Sequence, residues 1–526
     1  MAKRVLSTIL VFVAVASVSA QSRETLAERI DAILARPEFR HAIFGIEFYS
    51  LETKTVVYEH NADRFFVPGS TTKLVTMGSA LQLLGPDYRF KTRVYRTGDV
   101  DAAGTLHGDL ILVASGDPNL SGRIRPDETL AFENVDHSYG GPDSHGLEGD
   151  PLAVVRELAG QIATHGVKRI EGRVIVDATL YAEGERDGGT GFVISPIMIN
   201  DNAVDVVVRP GAAAQDPAVL DVSPKTAYVT FVNNITTANA GGDPRFRVAS
   251  DVAAGDGTRT VTLSGTIPAD AKPVMSSYRV AQPPRFAEIV LAEALHERGV
   301  SCAARRYEDK PDFANVAQAY TDERAVAEHV SPPLSEEVKV TLKVSQNLHA
   351  SATPFLLGAV LAHKGTAAAG FGEMKKFLAT TGADVSGASQ SDGAGADAHF
   401  TPAFMTAYLV YLAQQPSAKL FHDALPVLGK DGTLWNIQTK SPAAGHVHAK
   451  TGTFQVRDLL HDAMMVTGKG LAGYMTTVDG QRLAFAIYAN NVEVRDPGAV
   501  TAVGDALGSI AAAAYGAKID RRRRSE

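Results

Sequence analysis

An alternation of apolar and polar residues, sustained over about two hundred residues, is the feature that most limits how this chain can fold. Between residues 89 and 280, short segments such as FKTRVYR, RIEGRVIVDA and TRTVTLSG are separated by glycine, proline, aspartate and asparagine. This pattern is typical of strands. On both sides of the block, apolar residues recur every three to four positions, which indicates helices. The sequence therefore predicts a strand-rich block between two helical segments.

The end of the chain returns to strands and then to a helix. Two strand-like runs, HVHAKTGTFQ and QRLAFAIYANN, precede an alanine-rich helical segment at about residues 498 to 517. A length of 526 residues is too great for one compact core. We therefore predict an α/β (α+β) core, an antiparallel sheet with helices around it, that a large β-rich insertion interrupts. The predicted segments are a signal peptide (1–20), the first part of the core domain (21–88), the insertion as one or two domains (89–285), the second part of the core domain (286–519) and a basic tail (520–526).

The first twenty residues have the composition of a secretory signal peptide. A basic start, MAKR, is followed by the apolar run VLSTILVFVAVASV and by the small residues Val18, Ser19 and Ala20. The apolar run is short for a membrane span. We predict cleavage after Ala20 and export to the periplasm or another extracytoplasmic space, and an uncleaved anchor is the alternative.

The charge balance argues against a polyanionic partner. The formal net charge is −8, and loss of Lys3 and Arg4 with the signal peptide would make it −10. We therefore predict no nucleic-acid partner. The arginine run at residues 521–524 allows at most a weak association with a membrane or the cell wall. Cys302 is the only cysteine, so an intramolecular disulfide is excluded.

A serine and a lysine lie together at the head of one predicted helix. Residues 67–85 read VPGSTTKLVTMGSALQLLG, in which Pro68 and Gly69 end the preceding segment and apolar residues follow at helical spacing. Ser70 and Lys73 are three residues apart, so their side chains share one helix face. A neutral lysine with a depressed pKa can activate a serine hydroxyl as a nucleophile. Taken alone, the pair could also be a helix cap and a solvated charge.

Two further motifs supply the other groups that an acyl-transfer site needs. KVSQNLHAS contains Ser345 and Asn347 just before a predicted helix, and HAKTGTF contains the Lys-Thr-Gly-Thr sequence of residues 450–453 on a predicted strand. Hydroxyl, amide and ammonium groups can bind a peptide, stabilise its developing charge and move protons. The three motifs in this order and in these settings make coincidence a poor explanation.

With its Ser-x-x-Lys, Ser-x-Asn and Lys-Thr-Gly motifs, the chain resembles the class C low-molecular-mass penicillin-binding proteins, which are serine-type D-alanyl-D-alanine carboxypeptidases and endopeptidases. The separation of 275 residues between Ser70 and Ser345 matches the large insertion of that family and has no place in a compact β-lactamase. The segments LVASGDPNLSG, SDGAGADAHFTP and LAGYMTTVDGQRLAFAI also resemble the family. The resemblance implies a penicillin-recognising serine transpeptidase/β-lactamase-like fold.

The resemblance also implies roles for the first two motifs. Ser70 would attack the carbonyl carbon of the penultimate D-Ala and form an acyl-enzyme. Lys73 would be the general base, with its neutral form favoured by partial burial and by the positive charge of Lys450. Ser345 would relay a proton to the leaving amine. Asn347 would donate to the substrate amide and hold Lys73 by a hydrogen bond.

The third motif would bind the substrate. Lys450 would supply a cation for the terminal carboxylate, and Thr451 and Thr453 would offer hydroxyls on one face of a strand. Gly452 would let the substrate backbone approach that strand. The backbone N–H groups of Ser70 and Thr453 would form the oxyanion hole. The expected partners are peptidoglycan peptides and β-lactam inhibitors, while the oligomeric state is not indicated.

The sequence predicts no cofactor and no metal ion. His446 and His448 lie on one face of a predicted strand, but no third ligand is nearby in the sequence, so a solvated or hydrogen-bonding pair is favoured over a metal site. The string GKGLAG matches a dinucleotide-binding pattern, but it leads into a strand and is better explained as a turn.

Two other functions remain open from the sequence. A β-lactamase or esterase on the same fold would deacylate rapidly, and a non-catalytic cell-wall-binding protein would not be acylated at Ser70. The chain also departs from the family, which usually has alanine where Gly69 stands and often glutamate where Ser351 stands. These departures leave the acylation groups intact and bear on substrate preference.

Overall fold

The computed structural model describes residues 24–302, 311–495 and 499–518. These residues form eleven α-helices and 21 strands. The helices are α1 (Leu26–Leu34), α2 (Thr72–Leu84), α3 (Ala153–Thr164), α4 (Pro283–Glu297), α5 (Phe313–Val316), α6 (Leu334–Val344), α7 (Asn347–Ala362), α8 (Ala367–Leu378), α9 (Pro402–Leu412), α10 (Ala418–Asp423) and α11 (Ala499–Tyr515).

Some of the strands lie within the predicted insertion, and the others come before or after it in the chain. Two strands precede the insertion, β1 (Ile43–Ser50) and β2 (Thr55–His60). The following strands are β3 (Lys91–Arg96), β4 (Thr105–Leu106), β5 (Leu110–Val113), β6 (Arg169–Ile170), β7 (Val174–Asp177), β8 (Ala203–Arg209), β9 (Val219–Ser223), β10 (Val229–Ala238), β11 (Arg245–Ala253), β12 (Arg259–Pro268) and β13 (Val274–Arg279). The later strands are β14 (Ser301–Cys302), β15 (Ala325–Val330), β16 (Ala388–Gln390), β17 (Ala398–Phe400), β18 (Val447–Asp458), β19 (Ala463–Thr476), β20 (Arg482–Asn490) and β21 (Val492–Val494).

A six-stranded antiparallel sheet joins the two ends of the chain. Its order is β18-β19-β20-β1-β2, with β21 paired to β19. Strands from residues before 61 therefore pair with strands from residues after 446. Early and late strands can pair in one sheet only if the polypeptide between them leaves the core domain and later returns to it. This is the arrangement expected for an insertion.

Both faces of this sheet are covered by helices. Along β20, Phe485 and Ile487 point into one apolar core with residues of α1 and α11, and Ala486 and Tyr488 point into a second core with residues of α2, α7 and α9. A strand buried on both faces reads as a continuous apolar run, as LAFAIYA does here. The central sheet is therefore a rigid support for the residues on its strands.

Helix α2 begins as predicted at the Ser-x-x-Lys motif. A short 3₁₀ turn at Gly69–Thr71 leads directly into Thr72–Leu84. Gly85 follows with a positive φ of 86°, which glycine adopts readily, and ends the helix. Residues on every side of α2 are buried between 72 and 81, because α2 lies between the sheet and the helices α6, α7 and α8.

The region between α2 and α6 is rich in strands, with its own apolar core. One sheet has the order β15-β3-β5-β7, and three-stranded sheets are formed by β10-β12-β11, β13-β8-β9 and β14-β6-β4. Helix α4 and strand β15 pack into this region, against α3, β7 and β3. We therefore propose that the core domain resumes after Val330, later than the limit of 286 expected from the sequence.

No helix among the described residues is long and apolar enough to span a membrane. The predicted signal peptide (1–20) and basic tail (520–526) lie outside the described residues.

Candidate active site

The Ser70 turn is pressed against strand β18. Gly69 has a φ of 52°, and a Cβ atom there would lie 2.6 Å from the backbone nitrogen of Thr453. A Cβ atom on Gly452 would overlap the carbonyl oxygen of Pro68. The two glycines therefore allow the turn and the strand to approach each other. We expected Gly452 to make room for substrate, but its bare Cα faces the protein's own Ser70 turn.

Lys73 lies at the centre of the three motifs. Its side chain is fully buried, and its Nζ atom is 2.8 Å from Ser70 Oγ, 3.4 Å from Ser345 Oγ and 2.6 Å from Asn347 Oδ1. Burial lowers the pKa of Lys73 to about 7, although the charges of nearby carboxylates, that of Asp392 first among them, act to raise this pKa. At neutral pH a large fraction of this amine is unprotonated, and it can then accept the proton of Ser70.

The second motif lies in the turn between α6 and α7. Ser345 is in the left-handed region, with φ of 64° and ψ of 38°. Gln346 caps α7, because its side-chain oxygen accepts a hydrogen bond from the backbone N–H of Leu348 over 2.8 Å. Asn347 is the first residue of α7. This turn points the hydroxyl and the amide toward Lys73.

Lys450 is the second buried lysine of the site. Its Nζ atom donates to Ser345 Oγ over 2.8 Å and to the carbonyl oxygen of Thr451 over 2.9 Å. Burial lowers its pKa well below the usual lysine range, and the charges of Lys73 and Lys469 lower it further. We expected the charge of Lys450 to lower the pKa of Lys73. Burial accounts for the low pKa of Lys73, and it is instead the charge of Lys73 that lowers the pKa of Lys450.

An open cavity of about 690 Å³ brings the motifs together. This volume is in the range of small-molecule sites. The cavity is lined by residues of all three motifs, by three residues of the strand-rich region and by α11; these include Ser70, Ser345, Asn347, Thr451, Thr453, Tyr139, Gly188, Gly189, Thr501 and Gly504. Lys73, Lys450 and Gly452 lie behind its wall, at less than one tenth exposure.

The family model of the D-Ala-D-Ala carboxypeptidase 3 (S13) family matches residues 26–511. The chain belongs to this family. It is 28% identical over 500 residues to the D-alanyl-D-alanine carboxypeptidase of Actinomadura sp. (strain R39), a match that covers 91% of this chain and 83% of that one. It is 22% identical to the D-alanyl-D-alanine carboxypeptidase DacB of Haemophilus influenzae, with 85% of each chain covered.

The fold of this S13 chain is also that of a solved structure. The crystal structure of penicillin binding protein 4 (dacB) from Haemophilus influenzae superposes with a TM-score of 0.67 at 19% identity, covering 89% of this chain and 94% of that one. The predicted family, fold class and serine peptidase class are therefore confirmed.

The sequence did not single out three further groups of this S13 site. The hydroxyl of Tyr139 donates to the carbonyl oxygen of Ser345 over 2.6 Å. Asp392 accepts from the backbone N–H groups of Ala394 and Gly395, and so shapes the loop whose carbonyl at Ala394 lies 3.3 Å from Lys73 Nζ. The third group is Lys469, whose Nζ atom donates to Thr453 Oγ1 over 2.8 Å. The segment SDGAGADAHFTP did mark the loop of Asp392, but nothing local to the sequence marked Tyr139 or Lys469.

A buried ion network supports the second motif from behind. Arg123 donates to Asp136 and Asp201, and Asp201 also accepts from His349 of α7 over 2.9 Å. Gln346 reaches the carboxylates of Asp136 and Asp201 through its amide, at 3.2 and 3.3 Å. Arg123, Asp136 and Asp201 belong to the strand-rich region, so the network joins that region to the Ser345 turn of the core.

His448 lies on β18, but His446 lies in the turn just before it, so the prediction that both share one face of a strand is wrong. Both lie apart from the cavity and stack on aromatic rings. His446 stacks on Tyr515 and His448 on His422, with ring centroids 5.1 and 4.1 Å apart. Burial lowers the pKa of His448 to about 4, so its ring is neutral at physiological pH. Ring stacking accounts for this histidine pair.

Proposed function

We propose that this protein is an exported serine DD-peptidase that removes the terminal D-Ala from peptidoglycan stem peptides and cleaves D-Ala crosslinks. The observation that carries the proposal is the position of Lys73, whose buried Nζ atom lies 2.8 Å from Ser70 Oγ and 2.6 Å from Asn347 Oδ1. Membership of a D-Ala-D-Ala carboxypeptidase family supports the same reaction. The predicted signal peptide would take the enzyme to the cell wall.

Acylation begins when neutral Lys73 takes the proton of Ser70. Ser70 Oγ then attacks the carbonyl carbon of the penultimate D-Ala, and the C–N bond to the terminal residue breaks as the tetrahedral intermediate collapses. The leaving nitrogen needs a proton. Ser345 is placed to relay one, because its hydroxyl lies 2.8 Å from Lys450 Nζ and 3.4 Å from Lys73 Nζ.

The oxyanion would be held by backbone N–H groups of Ser70 and Thr453. Their proximity is supported by Gly69 and Gly452, which let the Ser70 turn and β18 approach closely. Removing one such donor typically costs about 3 to 4 kcal/mol of transition-state stabilisation. Asn347 would at the same time bind the substrate amide and orient Lys73.

Water completes the reaction by hydrolysing the acyl-enzyme. A peptide substrate loses its leaving group after acylation, so water can enter the space it vacates. A β-lactam keeps its leaving nitrogen tethered to the acyl group, and we expect that adduct to be long-lived. A β-lactamase on this fold would instead turn over penicillin rapidly.

The proposal is tested by release of free D-Ala from a pentapeptide stem and by cleavage of a crosslinked muropeptide dimer. We expect the wild-type protein to catalyse both reactions and Ser70→Ala to catalyse neither. If Ser70→Ala released D-Ala at the wild-type rate, the assignment of the nucleophile would be wrong.

A further inference from the structure

The cation that the sequence assigned to the substrate carboxylate is not in the cavity. Lys450 is fully buried, and its Nζ atom donates to Ser345 Oγ at 2.8 Å and to the Thr451 carbonyl oxygen at 2.9 Å. Because no part of its side chain is exposed, a carboxylate in the cavity could reach it only if the residues around it moved. Lys450 is therefore better placed to serve the proton relay of Ser345 than to bind an anion.

A different lysine faces the cavity. Lys469 lies on β19 directly across from Thr453 on β18, and its Nζ atom donates to Thr453 Oγ1 over 2.8 Å. Lys469 is half-buried, Thr453 is exposed, and both line the cavity that contains Ser70. Because Thr453 Oγ1 accepts this hydrogen bond, its own hydroxyl proton is free to donate to a ligand.

The surroundings of Lys469 favour the binding of an anionic ligand. Helix α11 passes beside its stem at Gly504, where a Cβ atom would lie 3.4 Å from Lys469 Cε, at van der Waals contact. Within the described ranges no salt bridge neutralises Lys469. Burial lowers the pKa of Lys469 and the charge of Asp505 partly opposes this, which leaves the pKa at about 8. The amine is therefore mainly protonated at pH 7. The site thus holds a half-buried cation to which no carboxylate of the described residues is bound.

We propose that Lys469, together with the Thr453 hydroxyl, binds the carboxylate adjacent to the scissile amide of the substrate, and that Lys450 does not. This inference rests on the proposed function and names the residue that selects substrates with that anion. The ammonium supplies a charge-assisted hydrogen bond, and Thr453 supplies a second donor in fixed orientation. The same pair would bind the carboxylate of a penicillin.

The test compares a peptide ending in D-Ala-D-Ala with its C-terminal carboxamide, for wild type, Lys469→Met and Lys469→Arg. Loss of a hydrogen bond to a charged group should lower the carboxylate-to-carboxamide ratio of kcat/KM by roughly 10- to 100-fold in Lys469→Met, mainly through KM. Lys469→Arg should keep the ratio within about threefold. Lys376→Met, which removes an exposed lysine of α8, is the matched control and should leave the ratio unchanged.

A carboxylate-to-carboxamide ratio that is unchanged in Lys469→Met would overturn the inference. If kcat/KM also fell equally for both peptides, Lys469 would have a structural role only. Acylation of Ser70 by penicillin and by penicillin methyl ester provides a second measure of the same ratio that needs no peptide turnover. If wild type is acylated but releases no D-Ala, the proposed function fails while the acid-to-ester ratio still decides the role of Lys469.

Discussion

At the scale of single residues, Lys73 couples burial to chemistry. Its ammonium is removed from water inside the protein, which disfavours the charged form and brings the pKa to about 7. A lysine in solution, with a pKa near 10.4, would be almost wholly protonated at pH 7 and could not act as a base. Desolvation therefore gives Lys73 the pKa that its proposed role requires, and the hydrogen bond to Asn347 fixes its position.

This coupling predicts a pH profile. If the neutral form of Lys73 is the base, as we propose, the acylation rate of Ser70 by penicillin should rise about tenfold per pH unit below pH 7 and level off above it. Lys73→Arg keeps its charge at every accessible pH, so it should lose the rising limb and about 100- to 10,000-fold in rate. A rate that is constant between pH 5 and 8 in the wild type would contradict the role of Lys73.

At the scale of elements, the site depends on how closely the turn before α2 meets β18. The bare Cα of Gly452 faces the carbonyl oxygen of Pro68, and a Cβ atom there would lie 3.1 Å from the backbone nitrogen of Ser70. A side chain at position 452 must push the Ser70 turn and the strand apart. Such a shift would move Ser70 and the proposed oxyanion hole together.

We therefore expect Gly452→Ala to reduce acylation by penicillin at least about 100-fold and to destabilise the protein by about 1 to 3 kcal/mol, as overpacking does. Gly372→Ala on α8 is the matched control, because a Cβ atom there meets no other atom within 4 Å. It should leave acylation unchanged and stabilise the helix by up to about 1 kcal/mol. Stopped-flow acylation and urea unfolding measure both effects, and equal behaviour of the two variants would argue against the close approach.

At the scale of the whole molecule, the strand-rich region and the core are joined by buried charges. Arg123, Asp136 and Asp201 on one side meet Gln346 and His349 on the other. Burial would raise the pKa of Asp201, but the charges of Arg123 and His349 lower it well below its usual range. A buried charge that loses its partner is costly, so the network should hold the two regions in one arrangement.

The network gives a stability prediction. Asp201→Asn removes one charge and keeps the shape, so it should lower the free energy of unfolding by about 3 to 5 kcal/mol, measured by chemical denaturation. Asp423→Asn, which breaks the exposed pair with Lys419, should change it by less than about 1 kcal/mol. If the two variants were equally stable, the buried network would not be a structural link.

Local patterns predicted the parts of this molecule that depend on neighbouring residues in the chain. The spacing of Ser70 and Lys73 placed both on the first turns of one helix, and the order of the motifs indicated the family and the insertion. Lys469 could not be found this way, because its place beside Thr453 follows from the register of β18 and β19. Tyr139 reaches Ser345 only through packing between distant regions, and the burial that turns Lys450 away from the cavity is likewise tertiary.

The most direct measurement of the central claim is mass spectrometry of the protein after incubation with penicillin, followed by mapping of the modified peptide. We predict a single covalent adduct on the peptide that contains Ser70, persistent over hours and missing in Ser70→Ala. An adduct on another residue, or none at all in correctly folded wild-type protein, would contradict the account.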